Sequence, residues 1–135
     1  MFKLSLLTPD KKIFVDHEIE DVRVPAYRGE LDILPGHAPL ITTLSTGVMR
    51  WRLKGETAYK AVVVSWGYCE VHPDGVDILA DIVDLPEEIN AIKDTTTISE
   101  GEQKLLNEFL DDTQWADVHR DIARARAHLE VARGE

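Results

Sequence analysis

Val76-Asp77-Ile78-Leu79-Ala80-Asp81-Ile82-Val83-Asp84-Leu85-Pro86-Glu87-Glu88-Ile89-Asn90-Ala91-Ile92 contains the point where the chain changes its period. Val76–Val83 is rich in β-branched and apolar residues and follows the Pro73-Asp74-Gly75 turn, as a strand does. At Leu85-Pro86-Glu87-Glu88 the pattern breaks. Proline early in a helix forfeits an N–H that would have no partner there, and carboxylates in the first turn favour the helix dipole. Leu85, Ile89 and Ile92 then recur at helical spacing. The reading is therefore of two units: an all-β unit over residues 1–85 and a two-helix hairpin over 86–135.

Upstream of the switch, strand-like runs recur about every eight to ten residues, cut by turn chemistry at Thr8-Pro9-Asp10, Arg28-Gly29, Pro35-Gly36, Thr46-Gly47, Lys54-Gly55 and Pro73-Asp74-Gly75. The intervening runs alternate as strands: Phe2, Leu4 and Leu6; Ile13 and Val15; Ile19–Val24; Leu31–Leu34; Leu40–Leu44; Val48–Leu53; Ala58–Ser65; Gly67–His72. Met49, Trp51 and Leu53 against Arg50 and Arg52 give one face to a core and one to solvent. Short strands at this spacing predict a sandwich or barrel.

Downstream, Asp94-Thr95-Thr96-Thr97 is poor helix interior, because its side chains lose rotamer freedom or bond the backbone instead. Ser99 with Glu102 has the pattern of a capping box. The expectation is a first helix interrupted near residues 94–98, with Leu105, Leu106, Phe109 and Leu110 on its apolar face. Asp111 with Gln114 then caps a second helix, whose Trp115, Val118, Ile122, Ala125, Leu129 and Ala132 form a heptad seam. That seam is too short to stand alone and needs a partner.

The net charge of −10, from 25 acidic and 15 basic residues, argues against nucleic acid and against a polybasic hold on lipid. Residues 1–85 carry 9 basic and 13 acidic side chains, and residues 86–135 carry 6 and 12, so most of the excess lies in the hairpin. Cys69 is the single cysteine, which precludes an internal disulfide and points to a reducing compartment. No stretch approaches the about 20 apolar residues of a membrane span, and the start has no signal-peptide pattern. The longest apolar run is Ala61 to Val64. The chain is expected to be soluble, without insertion into a membrane.

Catalytic and metal chemistry find no footing. His17, His37, His72, His119 and His128 show no metal-ligand spacing, and His119 and His128 fall on different sides of a helix. Pro35-Gly36-His37-Ala38-Pro39 is no phosphate cradle, since its prolines lack donors. Ser65-Trp66-Gly67 lacks the upstream glycine of a nucleophile elbow. Neither a catalytic residue nor a metal site is expected.

Gly29-Glu30-Leu31-Asp32-Ile33-Leu34-Pro35-Gly36-His37-Ala38-Pro39-Leu40 resembles the signature of the ε subunit of F-type ATP synthases, called δ in mitochondria. Ser65, Gly67, Glu70 and Val71, then Val76–Asp81, are similar to further family motifs in the same order. The resemblance covers residues 1 to about 85. It implies a flattened sandwich of about ten strands followed by a helical hairpin. It also implies a non-catalytic rotor subunit of a proton-translocating ATP synthase that links the γ subunit to the c-ring. In the family the loop matching Glu30 and Leu31 faces the c-ring, and the stretch matching His37, Ala38, Leu40 and Thr42 lies against γ. The location implied is peripheral, at the cytoplasmic face of a bacterial inner membrane.

The hairpin departs from the family. Relatives that bind ATP there carry I-[DL]-D-x-x-R-A, where this chain has Asn90, Lys93 and Asp94. Lysine replaces the guanidinium fork only as a point charge, and Asp94 adds repulsion, so no ATP cofactor is expected. Trp66 stands where the family commonly has glycine, to fill a core gap or thicken an interface. In bacterial relatives the hairpin acts as a brake on the catalytic subunits. Arg120, Arg124 and Arg126 are the candidates here for an inhibitory contact with α or β subunits. A freestanding adaptor using the same surface, and a small β-sandwich enzyme, are the competing readings.

Overall fold

The structure is a computed structural model, and it describes residues 2–133, so Gly134 and Glu135 at the end of the expected hairpin lie outside the described residues. Its elements run β1 (Lys3–Leu7), β2 (Lys12–Ala26), β3 (Gly29–Ile33), β4 (Leu40–Leu44), β5 (Gly47–Leu53), β6 (Tyr59–His72), β7 (Gly75–Asp84), a 3-10 turn (Pro86–Glu88), α1 (Ala91–Asn107) and α2 (Asp112–Ala132). The resemblance implies about ten strands and the residue pattern marks nine runs; the structure has seven, because two pairs of the marked runs are continuous. Ile13–Val15 and Ile19–Val24 belong to β2, and Ala58–Ser65 and Gly67–His72 to β6.

A strand has two edges, so a strand with more than two partners must exchange neighbours along its length. β2 pairs β1 through Lys12–Glu18, then β5 from Ile19 and β3 from Val22. β6 pairs β5 through Tyr59–Val64 and β4 through Gly67–Val71, keeping β7 as its other neighbour. The exchange in β6 falls at Trp66 and Gly67, both at positive φ (57° and 137°). A Cβ on Gly67 would overlap the Leu79 carbonyl, so the backbones cross there too closely for any side chain. The sheet thereby folds over one core that includes Leu4, Leu6, Val22, Val24, Ile33, Met49, Trp51, Val64 and Ile78, all at most 5% exposed. Arg50 and Arg52 lie on the other face, as the alternation requires.

α1 runs unbroken through residues 94–98, which corrects the expected interruption. The Thr95, Thr96 and Thr97 hydroxyls donate to the carbonyls of Ala91, Ile92 and Lys93 at 2.9–3.1 Å, so they accommodate the helix instead of competing with it. Ser99 accordingly lies inside the helix. The break comes earlier: the 3-10 turn ends and Asn90 caps α1 by accepting from the Lys93 N–H. Asp111 and Gln114 form the expected capping box of α2.

The helices meet at Gly101, where a Cβ would come within 2.7 Å of Ile122 Cγ1. α2 also packs on the sandwich, with Ala127 against Val48 and Val63 on the outer face of β5 and β6. The heptad seam is thus only partly the interface: Ile122 and Ala125 are buried, Trp115 is 55% exposed, and Ala127, outside the seam, is buried.

Candidate functional site

Three surfaces hold the residues singled out by sequence. The first is the turn from β2 into β3. Register places Glu30 opposite Pro25 and Leu31 opposite Val24. Strand alternation therefore separates the two candidates: Glu30 is exposed, whereas Leu31 is partly buried against the core. Tyr27, at 77% exposure, stands beside Glu30 at the tip of this turn.

The second surface is the loop 34–39 with β4. The His37 N–H donates to the Leu34 carbonyl at 3.1 Å, and His37 Nδ1 lies 2.8 Å from the Ala38 carbonyl. Pro35 and Pro39 hold φ on either side, which stiffens the loop. Ala38 is exposed, while Leu40 and Thr42 share the side of β4 that turns inward to Leu44. The outward side is Ile41 and Thr43. Thr43 pairs with Tyr68 of β6, which pairs with Leu79 of β7. Ile41, Tyr68 and Leu79 are 70%, 58% and 50% exposed, so one outer face carries a band of bare apolar side chains across three strands. Sequence reasoning marked the β4 stretch but missed Tyr68 and Leu79. The pairing that joins them is long-range, and their only local signal is an apolar residue on the polar side of an alternating strand.

The third surface is the hairpin, which lies against the sandwich. All three candidate arginines have partners within the chain. Arg124 Nε and Nη2 donate to both Asp84 carboxylate oxygens at 2.6 Å. Arg126 bridges α2 to Glu102 of α1 at 2.9 Å. The Arg120 guanidinium sits 4.6 Å from the centroid of the Trp66 ring and 3.7 Å from both Asp117 and Asp121. Trp66 is 42% exposed, so it fills no core gap; it meets the hairpin instead, as a platform for a cation.

Beneath Arg124 the helices and β7 enclose a polar cleft of about 390 Å³, lined by Asp84, Glu88, Asn90, Lys93, Asp94, Asp121, Arg124 and His128 among others. His128 Nε2 lies 2.7 Å from Asp84 Oδ2, and its Nδ1 lies 2.9 Å from Asp94 Oδ1. Burial raises the Asp84 carboxyl, but hydrogen bonds from Arg124 and His128 outweigh it and hold the group below the usual carboxylate range. The same pairing raises the Arg124 guanidinium. Asn90 and Lys93 serve as helix cap and first turn, and Asp94 faces His128.

Elsewhere, a cavity of about 740 Å³ opens between Phe14, Trp51, Tyr59, Leu85 and Val131, with Arg23, Arg50 and Lys60 at its wall and no carboxylate, histidine or cysteine. Burial, with a smaller contribution from Asp77, pushes the Cys69 thiol up to about 12, which makes it a poor nucleophile. Among the described residues no three His, Cys, Asp or Glu side chains gather as metal ligands, and no helix is long and apolar enough to cross a membrane.

The β unit matches a family model described as the ATP synthase delta/epsilon chain beta-sandwich domain, over residues 1–85. An ATP synthase epsilon chain of Bdellovibrio bacteriovorus is 54% identical over 130 residues, covering 96% of this chain and 93% of the relative. One from Rippkaea orientalis is 34% identical over 134 residues, covering 98% and 96%. The fold is shared with a chain in the Euglena gracilis mitochondrial ATP synthase OSCP/F1/c-ring structure, with a TM-score of 0.84 at 22% identity over 97% of this chain and 80% of that one. It is also shared with a chain of the Tetrahymena thermophila central stalk and c-ring structure, with a TM-score of 0.68 at 14% identity over 96% and 95%. A family-model match over residues 1–85, a resemblance centred on Glu30–Leu40 and near-full-length relatives lead to one placement: this chain belongs to the ATP synthase delta/epsilon family, whose epsilon chains are non-catalytic subunits of that complex.

Proposed function

We propose that this central-stalk subunit holds two partners through adjoining parts of its sandwich. The β2–β3 turn, with Tyr27 and Glu30 outermost and Leu31 anchoring it to the core, meets polar loops of the c-ring. The loop bearing His37 and Ala38, with the outer face of β4, β6 and β7 beyond it, meets the γ subunit. The observation that carries this reading is the exposed band of Ile41, Tyr68 and Leu79, placed beside a loop stiffened by two prolines. Exposed aromatic and aliphatic side chains on a rigid sheet favour association, because burying them removes apolar surface from water at little cost in chain entropy. The subunit would then sit peripherally at the cytoplasmic face of a bacterial inner membrane, joining γ to a proton-driven ring.

Co-purification with the cognate γ subunit tests this. Wild-type chain is retained at micromolar concentration, and Tyr68→Asp weakens retention by about 30-fold, as loss of an aromatic anchor does. Its fold is unaffected, since the side chain points outward. Wild-type chain that fails to retain γ overturns the rotor reading in favour of a freestanding adaptor.

The hairpin cleft is proposed to take no nucleotide. Arg124 already spreads its fork over Asp84, and the carboxylates of Glu88, Asp94 and Asp121 oppose phosphate. A brake acting through Arg120, Arg124 and Arg126 on α or β subunits requires that the hairpin first leave the sandwich. Truncation after Leu85, which packs on the sandwich core, is expected to leave assembly intact and to change the rate of ATP hydrolysis by the complex. An unchanged rate sinks the brake.

A further inference from the structure

His128 contacts two carboxylates at once, and the chemistry of imidazole limits how that can happen. A neutral ring has one N–H and one lone pair. Set between Asp84 Oδ2 at 2.7 Å and Asp94 Oδ1 at 2.9 Å, it would satisfy one carboxylate and turn its lone pair on the other. With one more proton, on the ring or on Asp94, both contacts become hydrogen bonds. All three side chains are close to nine-tenths buried, at 13%, 12% and 10% exposure for His128, Asp84 and Asp94, so water offers little substitute. Asp94 Oδ2 is also buried and has no partner, which leaves that carboxylate short of donors. The three residues come from three elements: the end of β7, the first turn of α1 and the last third of α2.

We propose that the Asp84–His128–Asp94 cluster is a proton-operated latch that fastens the hairpin to the sandwich. Taking up one proton completes the cluster and holds α1 and α2 against the end of β7; losing it leaves a lone pair facing a carboxylate and loosens the hairpin. The other charged groups around the cluster do not replace that proton. Arg124 is committed to Asp84, Lys93 of α1 lines the cleft without an ion pair to Asp84 or Asp94, and Glu88 and Asp121 from the 3-10 turn and α2 supply only further carboxylates. On the far side, β5 and β6 contribute Val48, Val63 and Arg50, the last paired with Glu130 at 3.3 Å.

The pH window has two sides. On the alkaline side, docking weakens as the cluster gives up the proton that completes its two contacts. It weakens again in acid, because Asp84 sits below the usual carboxylate range. A depressed carboxylate contributes fully above its ordinary value, about 3.9, and loses that contribution as pH falls through its depressed one.

Amide hydrogen exchange of α2 in the full chain, corrected for intrinsic rates, tests the latch. Between pH 5.5 and 8.0 the docking equilibrium of the wild type is expected to weaken by roughly tenfold or more, the worth of one charge-assisted hydrogen bond. Asp94→Asn supplies an N–H donor to His128 Nδ1, so a neutral ring can bridge; docking persists and its pH response flattens. A merely structural cluster would not flatten in this way. His128→Gln is expected to show weak protection at both pH values. Wild-type protection that is equal at pH 5.5 and 8.0, or an Asp94→Asn chain that keeps the wild-type response, overturns the proposal.

Discussion

Replacing Arg124 with alanine is expected to free the hairpin while the sandwich stays folded. Two 2.6 Å hydrogen bonds from one planar guanidinium to both oxygens of Asp84 tie α2 to the end of β7. Removing one partner of a buried pair strands the other charge, at about 3–5 kcal/mol. Arg124 is about a third exposed, so water recovers part of this, and about 2–3 kcal/mol is the expected loss. The apolar support for docking is small, chiefly Ala127 and Val131 on Val48, Ala61 and Val63. A loss of that size therefore shifts the docked population by about 30- to 150-fold. Limited proteolysis should cut α2 faster by a similar factor, with the thermal unfolding of the sandwich nearly unchanged. Arg124→Lys should recover only part of the effect, because a point charge cannot span both oxygens. Proteolysis as slow as in the wild type would show that the apolar contacts alone hold the hairpin.

Gly67→Ala is expected to disable the sandwich itself. Gly67 has φ +137°, where L side chains are strained, and its Cβ would lie within the Leu79 carbonyl and 2.8 Å from Ala80 Cα. Both obstacles are backbone in the central β6–β7 pairing, which cannot yield without breaking the ladder at the point where β6 exchanges β5 for β4. A cost above about 4 kcal/mol is expected, a large share of the 5–15 kcal/mol that holds a domain together. The midpoint of thermal unfolding should fall by more than about 10 °C, or soluble protein should be lost. Gly36→Ala separates crowding from strain. Gly36 also has positive φ, +84°, but its Cβ would meet nothing within 4 Å, so only about 1–2 kcal/mol is at stake. Equal effects from the two substitutions would refute the crowding argument. Trp66, at φ 57°, already carries strain of the second kind, and its ring contact with Arg120 offsets part of it.

The β elements were legible because alternation is local: Met49 and Trp51 went inside and Arg50 outside as their spacing requires. The capping box at Asp111 and Gln114 was equally local. The threonine run misled, since its propensity argues against helix while its hydroxyls bond back to the preceding turn. The run Ala61–Val64 held an unused signal. Consecutive apolar residues in a strand mean that both faces are covered, and Val63 is indeed buried under α2 while Val62 and Val64 face the core. Of the candidate site, Glu30 and the His37 loop could be marked from one contiguous motif, whereas Tyr68 and Leu79 join Ile41 only through strand pairing.

By itself the sequence determined the two-unit architecture, the inward faces of the strands, the acidic bias of the hairpin and, through Glu30–Leu40, the family. Those properties depend on period, spacing and contiguous motif, all read along the chain. Only the tertiary structure decided what the hairpin's charges do. Asp84, Asp94, Arg124 and His128 are scattered over 45 residues and look like solvated side chains in isolation. Folding removes water from between them, and at 2.6–2.9 Å their pairing becomes specific.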